Sequence, residues 1–201
     1  MRLIFVYIDT KLGAALADAF SDVSCAEVVE VDICKVECDA IVSPANSFGF
    51  MDGGLDLLLS ERFGWGVQER LQRQIAERPL RELLVGETIT IKTEDEKVPW
   101  IISAPTMRVP MRLRQTVNPY LAMKAVLVGM MSHAEEPAIN SVAIPGMGTG
   151  CGDLDFNIAA KQMRQAFDEI VQQTQHFPNH FNQAQRRHID LNPTEINIWD
   201  R

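Results

Sequence analysis

Leu3-Ile-Phe-Val-Tyr-Ile8 is an unbroken apolar run of β-branched and aromatic residues, the pattern of a strand buried on both faces. Leu12, Leu16, Ala19 and Phe20 follow at the spacing of one helical face, behind a start at Asp9 and Thr10. Residues 28–31 and 40–43 predict two further strands, and 46–54, with Gly49, Gly53 and Gly54, predicts a loop. Segments 55–63 and 67–75 predict helices, the second through Val67, Leu71 and Ile75. Residues 85–92 alternate, with Ile89 and Ile91 on one face, and 99–104 predict the next strand. Asn118-Pro119 reads as an N-cap followed by a first-turn proline. The segment 120–131 behind it is apolar on most faces, so that helix is expected to be well covered. A short strand at 141–144 leads into a glycine-rich stretch, and 157–171 predict a helix whose stripe is Ala159, Met163, Phe167 and Ile170.

Strands alternating with helices along the chain imply an α/β layered sandwich with a largely parallel or mixed sheet. The pattern weakens after residue 171. Residues 172–201 are rich in Gln, Asn and His and are expected to form a polar extension on the domain built by residues 1–171, closing in a strand or helix at Ile196-Asn-Ile-Trp199.

Composition narrows the function classes. The 201 residues fit one domain with a short extension, and 46% hydrophobic with 23% charged residues is ordinary globular usage. Nineteen Lys and Arg against 27 Asp and Glu give a net charge of -8, which disfavours general nucleic-acid binding because that rests on clustered cations. A single bound nucleotide stays compatible, since backbone amides hold phosphates without basic side chains. Cys25, Cys34, Cys38 and Cys151 form no CxxC pair, the N-terminal segment lacks a secretory pattern, and no window reaches the ~18 apolar residues of a membrane span. The expected setting is the cytoplasm, with reduced thiols and no membrane partner.

Three segments at predicted strand ends carry candidate chemistry, since open α/β sheets bind ligands there. In Val31-Asp32-Ile33, an acid beside a free amide fits an exocyclic amine and a ring nitrogen, and equally fits a turn cap. In Ser43-Pro-Ala-Asn-Ser-Phe-Gly-Phe-Met-Asp-Gly-Gly-Leu-Asp56, Asn46 offers donor and acceptor to a sugar hydroxyl. There Gly53 and Gly54 allow close backbone approach at a helix N-terminus, and Asp56 falls in the first turn, where macrodipole complementarity alone also explains an acid. In Pro145-Gly-Met-Gly-Thr-Gly-Cys-Gly152, clustered glycines make a backbone cradle that matches neither a Walker A loop nor GxGxxG. His176 and His180 have metal-ligand spacing, but Pro178 breaks the helix between them and no metal site is expected. Cys151 reads as a small filler residue, and Arg108, Arg112 and Arg114 as either an anion-binding cluster or a solvated loop.

Taken together, Val31-Asp-Ile33, Ala45-Asn-Ser47 with Gly53-Gly-Leu-Asp56, and Ile144-Pro-Gly-Met-Gly-Thr-Gly150 resemble the macro domain family of ADP-ribose-binding modules and ADP-ribosyl hydrolases. The Ser43–Gly49 and Ser103–Pro110 variants resemble a bacterial and phage subgroup. The resemblance implies a three-layer α/β/α sandwich with a central mixed sheet and a cleft at the strand C-termini. It implies that Asp32 receives the adenine amino group, with the Ile33 amide near the ring, and that Asn46 contacts the distal ribose. Gly53 and Gly54, with Gly146, Met147, Gly148, Thr149, Gly150 and Cys151, would wrap the pyrophosphate. Asn46 and Asp56 would be the catalytic residues, Asp56 positioning or activating water near the anomeric carbon for cleavage of ADP-ribosyl or O-acyl-ADP-ribose linkages. No cofactor or metal is implied; the ligand is ADP-ribose and the partner ADP-ribose or an ADP-ribosylated macromolecule. The sequence departs from hydrolytic members at Leu57 and Ser60, where a Gly and a His are usual, and at Cys151-Gly-Asp153, where an aromatic is usual and which Phe156 follows. Leu57 and Ser60 favour a non-catalytic reader as the alternative; a further one is a phage or mobile-element scaffold that keeps the fold without the ligand.

Overall fold

A computed structural model describes residues 1–131 and 138–193. The elements run β1 (Arg2–Tyr7), α1 (Thr10–Phe20), β2 (Ala26–Glu30), β3 (Ala40–Ser43), α2 (Gly54–Phe63), α3 (Gly66–Glu77), β4 (Ile89–Lys92), β5 (Trp100–Ser103), α4 (Asn118–Met131), β6 (Ser141–Ile144), α5 (Phe156–Ile170) and α6 (Phe181–Leu191), with a 3-10 turn at Ile33–Lys35. The strands form one sheet in the order β2-β1-β6-β3-β5-β4. All neighbours pair in parallel except β4, which runs antiparallel to β5, so the sheet is mixed as expected.

The apolar runs explain the layering. Successive residues of a strand face opposite sides, so a strand in mid-sheet needs apolar residues at every position. Leu3 and Phe5 of β1 pack with Leu16 and Phe20 of α1, Met123 of α4 and Met163 of α5 on one side. Ile4 and Val6 pack with Leu59 of α2 and Leu71 of α3 on the other. The Phe5 and Phe20 rings lie 4.1 Å apart, and Phe167 meets Phe20 edge-on. Helices on both faces make an α/β/α sandwich.

Three expectations change. The strand foreseen from residue 85 begins at Ile89, because 84–87 close a turn in which Gly86 has φ +95° and the Glu87 amide bonds Leu84 O at 3.0 Å. Helix α4 buries Ala122, Met123, Val126 and Leu127, but Leu121, Val128 and Met131 are exposed: as an outer-layer helix it has one covered side. The polar tail contains α6, begun by the uncommon N-cap His180, whose Nδ1 accepts the Gln183 amide at 3.3 Å. At the end of α6, Gln162 Nε2 of α5 donates to Leu191 O at 3.3 Å, and just beyond it Asn192 Nδ2 donates to Arg114 O at 3.0 Å and Thr116 O at 2.9 Å. The segment Ile196–Trp199 lies outside the described residues. Among the described residues no helix is long and apolar enough to cross a membrane.

Candidate functional site

The chain leaves β1 for α1 on one face of the sheet and leaves β3 for α2 on the other, opening a crevice above β1, β6 and β3. A cleft of about 630 Å³ occupies it, within the range that small-molecule sites typically fill. Its walls include Tyr7 and Ile8 after β1, Ala45 and Asn46 after β3, Thr106 and Met107 after β5, and Gly146–Gly152 without Met147 after β6.

The floor is the start of α2. Gly53 is its N-cap and makes no side-chain capping bond, so the first-turn amides are not closed off by a neighbouring oxygen. Gly54 has φ +58°, a conformation that glycine adopts freely and most residues resist. Gly53 differs: its φ of -150° suits any residue, and a Cβ there would meet nothing within 4 Å. Neither packing nor backbone conformation calls for glycine at 53, and the residue lines the cleft.

Asp56 follows in the first turn, almost wholly buried yet on the cleft wall. Burial pushes its carboxyl up to about 6, opposed by the Ser43 hydroxyl, which donates to Asp56 Oδ1. Ser60, one turn on, is buried and donates to Met51 O at 2.9 Å, which pins the loop ahead of α2.

Asn46 lines the cleft while serving as a loop staple. Its Oδ1 accepts the amides of Phe48 and Phe50 at 3.1 and 3.3 Å, and its Nδ2 donates to Phe50 O at 2.8 Å. One Nδ2 hydrogen is left over. Asp32 caps the 3-10 turn through the Cys34 amide at 2.9 Å, filling the turn-cap alternative, and its neighbours Val31 and Ile33 line the cleft whereas Asp32 does not.

The glycine-rich loop divides in two. A Cβ at Gly146 would sit 2.6 Å from Leu12 Cδ2, and Gly148 combines φ +74° with Pro119 Cγ at 2.9 Å, so close packing demands both glycines. At Gly150 a Cβ would meet nothing within 4 Å, as at Gly53. Thr149 ties the loop by donating to Gly146 O at 3.1 Å, and Cys151 is exposed on the cleft wall. Met147 is wholly buried in the core with α1 and α4 and is not among the residues lining the cleft: its apolar side chain anchors the loop, and any contact with a ligand there would fall to its backbone amide.

Among the described residues no Lys, Arg or His lines the cleft; its charged side chains are Asp9, Asp52 and Asp56. Arg112 and Arg114 instead pair with Asp153 at 2.8 and 3.0 Å, and Arg108 pairs with Glu82 at 2.7 Å and lies over the Phe48 ring. An anion here would therefore be met by backbone amides and helix N-termini. Those of α1 and α5 are capped by Asp9 and Asp155, and that of α2 is the uncapped one. Sequence reasoning missed Tyr7, Ile8 and Phe50 on the walls, whose apolar type signals core as readily as ligand contact; Phe156, at the start of α5, does line the cleft. His180 faces α6 as its cap, and no group of three potential metal ligands occurs among the described residues.

The sequence profile of the macro domain family matches residues 42–163, and the chain belongs to that family. An uncharacterized protein of Aquifex aeolicus is 33% identical over 137 residues, 68% of this chain and 77% of its own length. The macrodomain of Mycobacterium tuberculosis DarG superposes with a TM-score of 0.57 at 21% identity, covering 70% of this chain and 88% of its own. An Oceanobacillus iheyensis macrodomain mutant with ADPR superposes with a TM-score of 0.60 at 20% identity, covering 72% and 77%. These two likenesses are of fold.

Proposed function

We propose that the cleft binds ADP-ribose or an ADP-ribosyl group and that the protein hydrolyses the bond joining that group to an acceptor. The observation that carries binding is Gly53. A glycine that neither packing nor conformation requires leaves the uncapped start of α2 bare, the local geometry that admits a pyrophosphate onto backbone amides. Gly150, which also lines the cleft, offers the same bare backbone. Family membership and the ADPR in the Oceanobacillus iheyensis structure support the choice of ligand. Ile33 and the Asp32 turn would meet the adenine, and the remaining Asn46 hydrogen the distal ribose.

Hydrolysis follows from Asp56. A carboxylate with a pKa of about 6 is ionised at neutral pH and close enough to it to accept a proton effectively. In the proposed step water attacks the anomeric carbon of the distal ribose while Asp56 takes a water proton. The bond from that carbon to the leaving oxygen breaks, the leaving group keeps the electron pair, and Asp56 later releases the proton to solvent. Most of the rate enhancement would come from holding water and sugar in line and from the amides facing the phosphates. The four free cysteines suit a reducing compartment, and we assign the protein to the cytoplasm.

A non-catalytic reader is the second reading, favoured by the bonds that tie the Asn46 amide into its own loop. Incubation with a protein ADP-ribosylated on acidic side chains decides between them. Release of ADP-ribose that is lost in Asp56→Ala, with binding retained, supports hydrolysis; tight binding without release supports the reader.

A further inference from the structure

Ser43 and Ser103 end the neighbouring parallel strands β3 and β5 and stand opposite each other in register. Both are completely buried. Ile41 and Ile101, two residues earlier, pack on the α2–α3 side, and residues two apart share a face, so both serines are directed to the side where α2 carries Asp56. Only one of the two hydroxyls is used: Ser43 donates to Asp56 Oδ1, whereas Ser103 Oγ has no hydrogen-bond partner among the described residues. Ser43 is itself rigidly held, since its carbonyl accepts the Ala104 amide at 2.9 Å and Pro44 follows it.

From this geometry we propose that Ser43 is the positioning residue of the site: by tying Asp56 Oδ1 inward it fixes the carboxylate plane and leaves Oδ2 as the oxygen presented to water in the cleft. The inference deepens the proposed hydrolysis and rests on it for its catalytic consequence, though not for its structural one. Ser43 does not line the cleft and touches no substrate; it acts through Asp56. A donor to the ionised carboxylate also favours that form, against the burial that raises the pKa. Among the described residues the other ionisable groups nearby make no hydrogen bond or ion pair with Asp56, whose side-chain partner is Ser43. Asp9 and Asp52 share the cleft wall, Asp32 caps its turn through the Cys34 amide, and Arg62 of α2 points to Cys34 O and toward Asp95. The causes of the Asp56 shift are burial and the Ser43 bond.

Ser103 supplies a matched control, because Ser103→Ala removes the same buried oxygen from the paired position without breaking a bond. The experiment follows the Asp56 carboxyl carbon by NMR through a pH titration in wild type, Ser43→Ala and Ser103→Ala. Ser43→Ala is expected to raise the midpoint by about one pH unit, a tenfold change in proton affinity, and Ser103→Ala to leave it in place. Ser43→Cys, with a weaker donor of similar size, is expected to fall between them and serves if the alanine variant does not fold. Equal midpoints in wild type and the Ser43 variants, or equal shifts in the Ser43 and Ser103 variants, overturn the proposal. On an ADP-ribosylated protein, Ser43→Ala should lower kcat about tenfold at pH 7 with KM unchanged and move the acid limb upward. Wild type without turnover removes the hydrolase reading alone, because the NMR midpoints judge Ser43 independently.

Discussion

At the scale of single residues, Asp56 ties chemistry to stability. Its carboxyl is raised from 3.8 to about 6 in the folded protein, so the native state holds a proton that the unfolded chain has released between those values. Below about pH 4 both states are protonated and no penalty exists; stability is lost as pH rises to about 6, and above that the full cost is present, of the order of 3 kcal/mol. Asp56→Asn is therefore expected to raise the thermal midpoint at pH 8 and to be nearly neutral at pH 4, measured by calorimetry at both. Equal effects at the two pH values would contradict a buried, ionised Asp56. The proposed hydrolysis should run the other way, falling as pH drops through about 6 because Asp56, its proposed base, becomes protonated. Asp56 and Asn46 could be picked out in the sequence as polar residues beside clustered glycines, though a first-turn acid is equally explained by the helix dipole and Asn46 also staples its own loop. Tyr7, Ile8 and Phe50 were not legible, because an apolar side chain carries no mark of whether it meets core or cleft.

At the scale of elements, α2 breaks the usual pattern of a surface helix. Its buried positions are Asp56, Leu59 and Ser60, while Leu58 is 44% exposed. Polar residues on the covered face with an apolar one outside are the local inconsistency expected where function overrides folding. The glycines make this testable. Gly148→Ala places a Cβ 2.9 Å from Pro119 at φ +74° and is expected to destabilise the fold by about 2 kcal/mol or more. Gly53→Ala meets open space at an ordinary φ, so its melting temperature should match wild type while ADP-ribose affinity falls about tenfold. Unchanged affinity in Gly53→Ala would remove the floor of α2 from the ligand site. The strands and α1, α3 and α5 were legible because their apolar periodicity is imposed by the two-sided core. The strand near residue 85 and the cover of α4 were misjudged for a related reason: apolar residues in turns and on outer faces keep the pattern without the burial.

At the scale of the molecule, the polar tail is joined to the domain by buried amides rather than by an apolar stripe. Asn192 is wholly buried and bonds two carbonyls of the segment ahead of α4, and Gln162 bonds Thr116 O and Leu191 O from α5. Asn192→Ala is expected to lower stability by about 1–3 kcal/mol in denaturant unfolding, since it removes a wholly buried amide that donates to Arg114 O and Thr116 O, the second of which keeps only its Gln162 bond. Such a link has no periodicity and so left no trace in the sequence, where the tail read as polar surface. The net charge of -8 fits the proposed picture, in which backbone amides of the cleft, rather than basic side chains, would meet the pyrophosphate. Isothermal titration of the whole chain with ADP-ribose, with AMP and ADP as comparisons, tests that picture directly. The account predicts micromolar binding of ADP-ribose, about -8 kcal/mol, with AMP much weaker because it lacks the pyrophosphate and distal ribose. No heat with any of the three would contradict the ligand assignment and leave the macro domain fold without it.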